Sequence, residues 1–352
     1  MEGFFMDKID YIIVGLGIAG ISICEQLRKN NKSFVVIDAN SSATSVAGGV
    51  VNPCVLKHFT PVWEANIFLP QALPFYKELE SFLNVEFITE TPILKVFNNN
   101  EEQNLWTVAS DRNELSKYLG EEIIQNTNDG LNADFGFGKV NHSFQIDTKI
   151  IIAKYREYLG NTKSLLPTDF NFEALKVKNS EVVYEDILAT NIVFAEGASA
   201  IYNPFFPKNI LIPKKGEYIT IKSPQLDCFS VLKSKFFIIP LGEDMYKIGA
   251  TFAHDDYGLQ ISEKGRKELV AAIQKLITVP FEVIDQEVGM RPTVKDRRPL
   301  VGNLPEHKNV YFLNGLGTRG LLMAPLLSNY LYDFIENNIN LPSEINIKRF
   351  FN

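Results

Sequence analysis

The feature that most constrains this chain lies near its start. An apolar run, Tyr11-Ile12-Ile13-Val14, meets a glycine-rich turn, Gly15-Leu16-Gly17-Ile18-Ala19-Gly20, and a second apolar run, Phe34-Val35-Val36-Ile37, ends at Asp38. Strand, turn, helix, strand and acid in that order make the first βαβ unit of a dinucleotide-binding fold. Gly15 permits the tight turn, Gly17 lets backbone approach a pyrophosphate, and Gly20 lets the helix pack close to the strand. The helix predicted over 18–29 aims its positive end at the phosphates, which counts Ile18 and Ala19 among the cofactor contacts. Asp38, 23 residues beyond Gly15, can accept hydrogen bonds from an adenosine ribose and disfavours a 2′-phosphate. The alternative is a tight turn that binds nothing.

Length and composition bound the rest. With 352 residues the chain is long enough for two domains, and 45% hydrophobic and 22% charged residues are ordinary for a globular protein. No apolar stretch approaches the roughly 20 residues of a membrane span. Met1 to Lys8 includes acid and lacks the pattern of a secretion signal, so a cytoplasmic location is expected. Cys24, Cys54 and Cys228 have no metal-ligand spacing and read as reduced, structural thiols; no metal site is expected. A net charge of −7 disfavours a general polyanion-binding surface but leaves room for a local basic patch.

Periodicity then predicts a helix over 61–83, strands near 85–97 and 105–110 with a hairpin loop over 98–104, and a helix from Asp147 to Leu159 capped by Asp147. Strands are expected over 172–177, 182–187 and 192–194, and the run Ile192 to Phe194 is placed in the parallel sheet. From 210 to 252 the pattern is strand-rich and reads as a separate antiparallel sheet, followed by a helix over 262–277. Strand 310–313 and helix 321–335 return to the nucleotide-binding unit. The expected fold class is α/β: a discontinuous Rossmann-like dinucleotide-binding domain of 1–60, 146–200 and 285–352, with a mainly antiparallel-sheet second domain of 61–145 and 201–284.

A second GxGxxG, Gly315-Leu316-Gly317-Thr318-Arg319-Gly320, follows the last strand, but only 32 residues remain after it. That is too few for another nucleotide-binding unit. The turn can instead present backbone N–H groups and a helix N-terminus to another part of the first cofactor. A flavin suits it, because reduction places negative charge on its N1/C2 carbonyl edge. Gly315, Gly317, Thr318 and Gly320 are the contacts this implies; a turn required only for packing is the alternative.

These motifs resemble the FAD-dependent amino acid oxidases of the D-amino-acid oxidase, glycine oxidase and sarcosine oxidase group. The resemblance rests on Gly15 to Asp38, on the small-residue loop from Ser41 through Ala47-Gly48-Gly49-Val50-Val51-Asn52-Pro53, and on the strand end Ala195-Glu196-Gly197. Most specific is the tail Gly289-Met290-Arg291-Pro292 through Asp296, Pro299 and Gly302, then Gly315 to Pro325. It implies FAD between two domains, with Gly48, Gly49, Glu196 and Gly197 beside it. The implied chemistry is hydride transfer from an amine Cα–H to flavin N5, giving an imine that water hydrolyses.

The same resemblance makes Arg291 the grip on a substrate carboxylate, a task that suits a planar guanidinium, against a structural ion pair. Arg319 matches a second arginine near the substrate, or else a flavin or domain contact. Lys247 resembles a lysine that assists oxygen reduction, or faces solvent as an alternating strand residue. His58, just past the small-residue loop, lines the pocket or is structural. Phe237 stands where glycine-oxidase-like enzymes tend to have tyrosine, so one carboxylate hydrogen bond is missing. The resemblance to sarcosine oxidases implies a flavin tethered by a C-terminal cysteine; no cysteine follows Cys228 here, so FAD is expected to be noncovalent.

The leading reading is an FAD-dependent oxidoreductase acting on a C–N bond of a small amino or imino acid. A second follows from Leu316 to Leu321 with Ala324-Pro325 and from Lys57-His58, which resemble the oxidase domain of the bifunctional enzyme that modifies the tRNA wobble uridine. That domain acts on a carboxymethylaminomethyl-type base; the fused methyltransferase is missing and the chain is acidic, which lowers the tRNA reading. A non-catalytic flavoprotein is the third. Substrate identity, electron acceptor and oligomeric state are not legible.

Overall fold

The structure is a computed structural model that describes residues 8–39, 42–178, 180–253 and 256–351. Met1 to Asp7 and Ser41, which the sequence reading used, lie outside these residues. Two eight-stranded sheets organise the chain. In the first, Leu165–Leu166, Phe34–Ile37, Ile9–Val14, Ile187–Phe194 and Val310–Asn314 lie side by side and parallel. Leu300–Asn303 runs antiparallel to the last of these, and Leu175–Val177 with Val182–Tyr184 extends the sheet from Ile187–Phe194.

The strand Ile9–Val14 is apolar throughout its second half because both faces are covered. Tyr11 and Ile13 pack with Ile21, Leu27, Leu322 and Leu327 of the helices Ile18–Lys29 and Gly320–Glu336. Ile12 and Val14 turn the other way, into an aromatic cluster with Phe194, Phe206 and Phe312.

The second sheet has the spatial order Glu282–Val294, Leu211–Lys222, Met245–Gly249, Phe237–Gly242, Val231–Lys233, Ile93–Val96, Phe137–Val140 and Leu119–Ile124. Only Val231–Lys233 and Ile93–Val96 pair in parallel. One face buries Ile219, Ile221, Ile238 and Ile248 against Leu269 and Ile273 of the helix Glu263–Ile273. On the other face, register aligns Glu287, Tyr218, Gly249, Phe237, Lys233 and Lys95 in one row across six strands.

Several local expectations change. Residues expected as a hairpin loop and a strand over 98–110 form the helix Asn100–Ser110. Asn99 caps it by accepting from Glu102 N–H at 2.8 Å, and Glu101 and Glu102 lie in its first turn, where the helix dipole favours acids. Residues 172–174 form a 3-10 turn before the short strand Leu175–Val177. The helix expected over 61–83 begins at Ala65, after Glu64 in the left-handed conformation, and contains Pro70 and Pro74. The helix expected to run to 277 is Glu263–Ile273.

Candidate active site

The parallel strands end together at one cleft of about 590 Å³, whose opposite wall is the second sheet. Crevices at the carboxyl ends of parallel strands are where open α/β sheets bind ligands. Gly15, Gly17, Ile18, Ala19 and Asp38 line its nucleotide side. Gly15 has φ +94, a conformation glycine adopts without strain, and a Cβ there would lie 2.7 Å from the Ala195 carbonyl oxygen. A Cβ on Gly17 would meet only the Thr44 and Ser42 side chains, at 3.3 and 3.7 Å, so the main chain at Gly17 is open to the cleft. Gly20 does not line the cleft; a Cβ there would overlap the Gly15 carbonyl oxygen, in keeping with its packing task.

Asp38 accepts from Leu16 N–H at 2.9 Å and is ion-paired with Arg156. Its carboxylate thus fixes the turn as well as facing the cleft. Ile18 N–H donates to Thr44 Oγ1 at 3.1 Å, a contact the sequence reading did not contain. Gly48 and Gly49 line the cleft; Gly48 lies against the second sheet, where its N–H donates to the Tyr218 hydroxyl at 3.3 Å, and Gly49 packs on Ile146. Glu196 and Gly197 complete this side. Burial pushes the Glu196 carboxyl up to about 7, opposed by a hydrogen bond from Asn203 Nδ2 at 2.7 Å.

In the second glycine turn, Gly317, Thr318 and Gly320 line the cleft, whereas Gly315 does not. Gly315 has φ +72, and a Cβ there would lie 2.6 Å from Val294 Cγ2, so packing and backbone conformation account for this glycine. Arg319 lines the cleft and donates to the carbonyls of Asn52 and Cys54, both at 3.3 Å. Burial pushes its guanidinium down to about 10, and no carboxylate pairs with it among the described residues.

Arg291 comes from the edge strand of the second sheet and folds across Gly216 of the neighbouring strand. A Cβ on Gly216 would overlap the guanidinium, so glycine is needed for that approach. The guanidinium donates to Thr251 O at 3.1 Å and Lys215 O at 3.3 Å, and lies 5.4 Å from the Phe252 ring centre. Burial lowers its pKa, opposed by Tyr218 beside it. No acid pairs with it among the described residues, which leaves a desolvated cation facing the cleft.

Two predicted residues stand elsewhere. His58 is exposed on the turn of the small hairpin Cys54–Val55 and Thr60–Pro61 and does not line the cleft. Lys247 shares the cleft-facing side of the sheet but not the cleft lining; its ammonium pairs with Glu287 at 2.7 Å, and Glu287 also binds Lys149 at 2.8 Å. A buried lysine requires such a partner, and burial still lowers its pKa. Lys233, Lys235, Phe252 and Tyr218 line the cleft without having been read from sequence. For Tyr218 the two-residue alternation of its strand was the available signal; the others depend on pairing register.

Residues 10–333 match the DAO family, described as FAD dependent oxidoreductase. The chain belongs to this family of FAD-dependent oxidoreductases. It is 23% identical to a glycine oxidase of Bacillus subtilis, over 93% of this chain and 92% of that one. It is also 23% identical to a tRNA 5-methylaminomethyl-2-thiouridine biosynthesis bifunctional protein of Campylobacter jejuni subsp. doylei, over 92% of this chain and 55% of the relative. The oxidoreductase thus spans about half the length of that bifunctional relative. In fold it is similar to a glycine oxidase of Geobacillus kaustophilus, with a TM-score of 0.80, 18% identity, and 95% and 96% of the two chains covered.

The residues fit FAD: two glycine turns and the N-terminal ends of two helices converge on one cleft, with open main chain at Gly17. Among the described residues no helix is long and apolar enough to cross a membrane, and no acid, histidine or cysteine cluster could hold a metal ion.

Proposed function

We propose that the protein oxidises the C–N bond of a small amino or imino acid whose carboxylate is held by Arg291. The observation that carries this reading is a buried guanidinium facing the cofactor cleft, bonded to two carbonyls and paired with no carboxylate among the described residues. A substrate carboxylate supplies the missing counter-charge through a charge-assisted, bidentate contact. FAD, held noncovalently in this cleft, would supply the acceptor for the hydride leaving the amine Cα, and the imine so formed would be hydrolysed by water. Gly15 to Ala19, Asp38, Gly48, Gly49, Glu196, Gly197 and the turn Gly317 to Gly320 hold the cofactor in this reading. Arg319 holds the loop at Asn52 to Cys54 and adds positive potential. The cofactor-binding domain comprises 1–60, 146–200 and 285–352, and the substrate domain the remainder. The name of the Bacillus subtilis relative supports a glycine-type substrate.

Oxidation of a carboxymethylaminomethyl-type tRNA base is a second reading with the same bond chemistry. It is favoured by the match to the bifunctional tRNA-biosynthesis relative over 92% of this chain. Anaerobic spectroscopy of the FAD-loaded protein separates the two. Bleaching by free amino or imino acids supports the first reading; bleaching only by modified tRNA supports the second. Replacing Arg291 by Ala is expected to cost about 1.5–3 kcal/mol, or roughly tenfold to 150-fold in kcat/KM for a carboxylated amine. An unchanged kcat/KM would remove the assigned role.

A further inference from the structure

One wall of the cleft carries an amine that the reaction above does not use. Lys233 ends the strand Val231–Lys233 and, with Lys235, Phe236 and Phe237, lines the cleft. Its Nζ donates to Ser234 O at 2.9 Å and Lys235 O at 2.8 Å, and lies 5.0 Å from the Phe237 ring centre. A protonated amine has three hydrogens, so one of them meets neither carbonyl. A neutral amine has two. These satisfy both carbonyls, and the nitrogen lone pair takes the remaining tetrahedral position, directed away from the turn at Ser234 and Lys235.

The elements packed against Lys233 do not hold its charge. On the neighbouring strand Ile93–Val96 its register partner is Lys95, a buried lysine. Glu102, on the helix Asn100–Ser110, is engaged with others: Oε1 pairs with Lys95 at 2.6 Å, and Oε2 accepts from the Asn98 backbone and side chain, both at 2.8 Å. On the other neighbouring strand, Phe237–Gly242, its register partner is the uncharged Phe237. Lys235 pairs with Glu268 of the helix Glu263–Ile273 at 3.0 Å. No carboxylate lies within ion-pair distance of Lys233 among the described residues. Removal from water and repulsion by Lys95, partly offset by Glu102, bring its pKa down to about 8.

A desolvated lysine beside a second cation is the arrangement that turns an amine into a nucleophile near neutral pH. The amine-oxidising reading above, on which this inference rests, releases an α-oxo acid in the same cleft when the imine is hydrolysed. We propose that Lys233 is a carbonyl-capturing site that takes a small α-oxo acid as a reversible covalent adduct. The Nζ lone pair attacks the keto carbon, the C=O π pair moves to oxygen, and a proton passes from nitrogen to that oxygen to give a carbinolamine. Loss of water then leaves a C=N bond to Nζ, with nothing oxidised or reduced. Because Glu102 and Glu268 are each paired with a lysine, this wall does not repel the carboxylate of the oxo acid.

Brief exposure of the FAD-loaded protein to glyoxylate and cyanoborohydride, followed by peptide mass spectrometry, tests the site. Hydride from the reagent converts the imine into a stable carboxymethyl-lysine, and exposed lysines such as Lys57 and Lys308 are standards within the same sample. At pH 7 Lys233 should be labelled at least tenfold faster than they are. That ratio should stay level up to about pH 8 and fall above it, since exposed lysines, with pKa values of about 10.4, go on losing protons after Lys233 has lost its own. A Lys233 labelled no faster than the standards, or a ratio that does not fall between pH 8 and pH 10, would overturn the proposal. Anaerobic bleaching of the flavin by amino and N-alkyl amino acids keeps the two claims separate. Selective labelling of Lys233 with no bleaching by any amine retains the carbonyl site and sinks the amine-oxidising reading; bleaching without selective labelling does the reverse.

Discussion

Glu196 lies two residues past the end of the strand Ile187–Phe194, so the sheet delivers its carboxyl to the cleft. Removal from water favours the neutral form and pushes the pKa up to about 7, against about 4.3 for an exposed glutamate. Between those values the folded state binds more protons than the unfolded state. Stability is therefore full below the lower value and declines as pH rises through about 7. Thermal melts of the FAD-free protein should show that decline, and Glu196→Gln should flatten it; an identical pH profile in the variant would reject the assignment. Arg291 and Arg319 respond to the same desolvation in the opposite direction, because in them the protonated form is the charged one. The family resemblance made both arginines candidate anion ligands, but that neither pairs with a carboxylate among the described residues is a property of the packed cleft. Lys247 shows the converse: its place in an alternating strand was readable, while its pairing with Glu287 depends on a strand 40 residues away in sequence.

At the scale of elements, the first βαβ unit formed where the sequence placed it because turn chemistry and periodicity agree there. Gly20 is its tightest point. Gly20→Ala should cost about 1–3 kcal/mol as the helix Ile18–Lys29 is pushed from the turn, lowering Tm and the FAD content of the purified protein together. Unchanged Tm and FAD content would show that the helix accommodates the methyl. The helix Asn100–Ser110 shows where the local reading fails. Leu105, Thr107 and Val108 have the composition of a strand, yet Trp106 and Ala109 are buried while Leu105 and Val108 are exposed. That three-residue spacing belongs to one helix face. The cap at Asn99 and the acids at Glu101 and Glu102 were visible beforehand, and they outweigh the β-branched composition.

For the whole molecule, the cleft joins residues 15–19 and 42–52 to 195–199, 216, 218, 288–292, 314 and 316–322, so its walls come from both sheets. FAD bound there stabilises only the folded arrangement. At 100 times its dissociation constant it should add about 2.7 kcal/mol, and Tm should rise continuously with added FAD. A Tm independent of FAD would mean that binding does not draw on the folded cleft. The sequence alone determined the nucleotide-binding unit, the second glycine turn and the family, because each is written in contiguous residues whose spacing has a local mechanism. It also determined that two different sheet patterns alternate along the chain. Only the tertiary structure decided that Gly315 packs while Gly317 faces the cleft, that His58 lies outside it, and that Lys233 and Arg291 share it. Those outcomes depend on strand register and burial across distant segments, where a shift of one residue would turn each side chain to the other face.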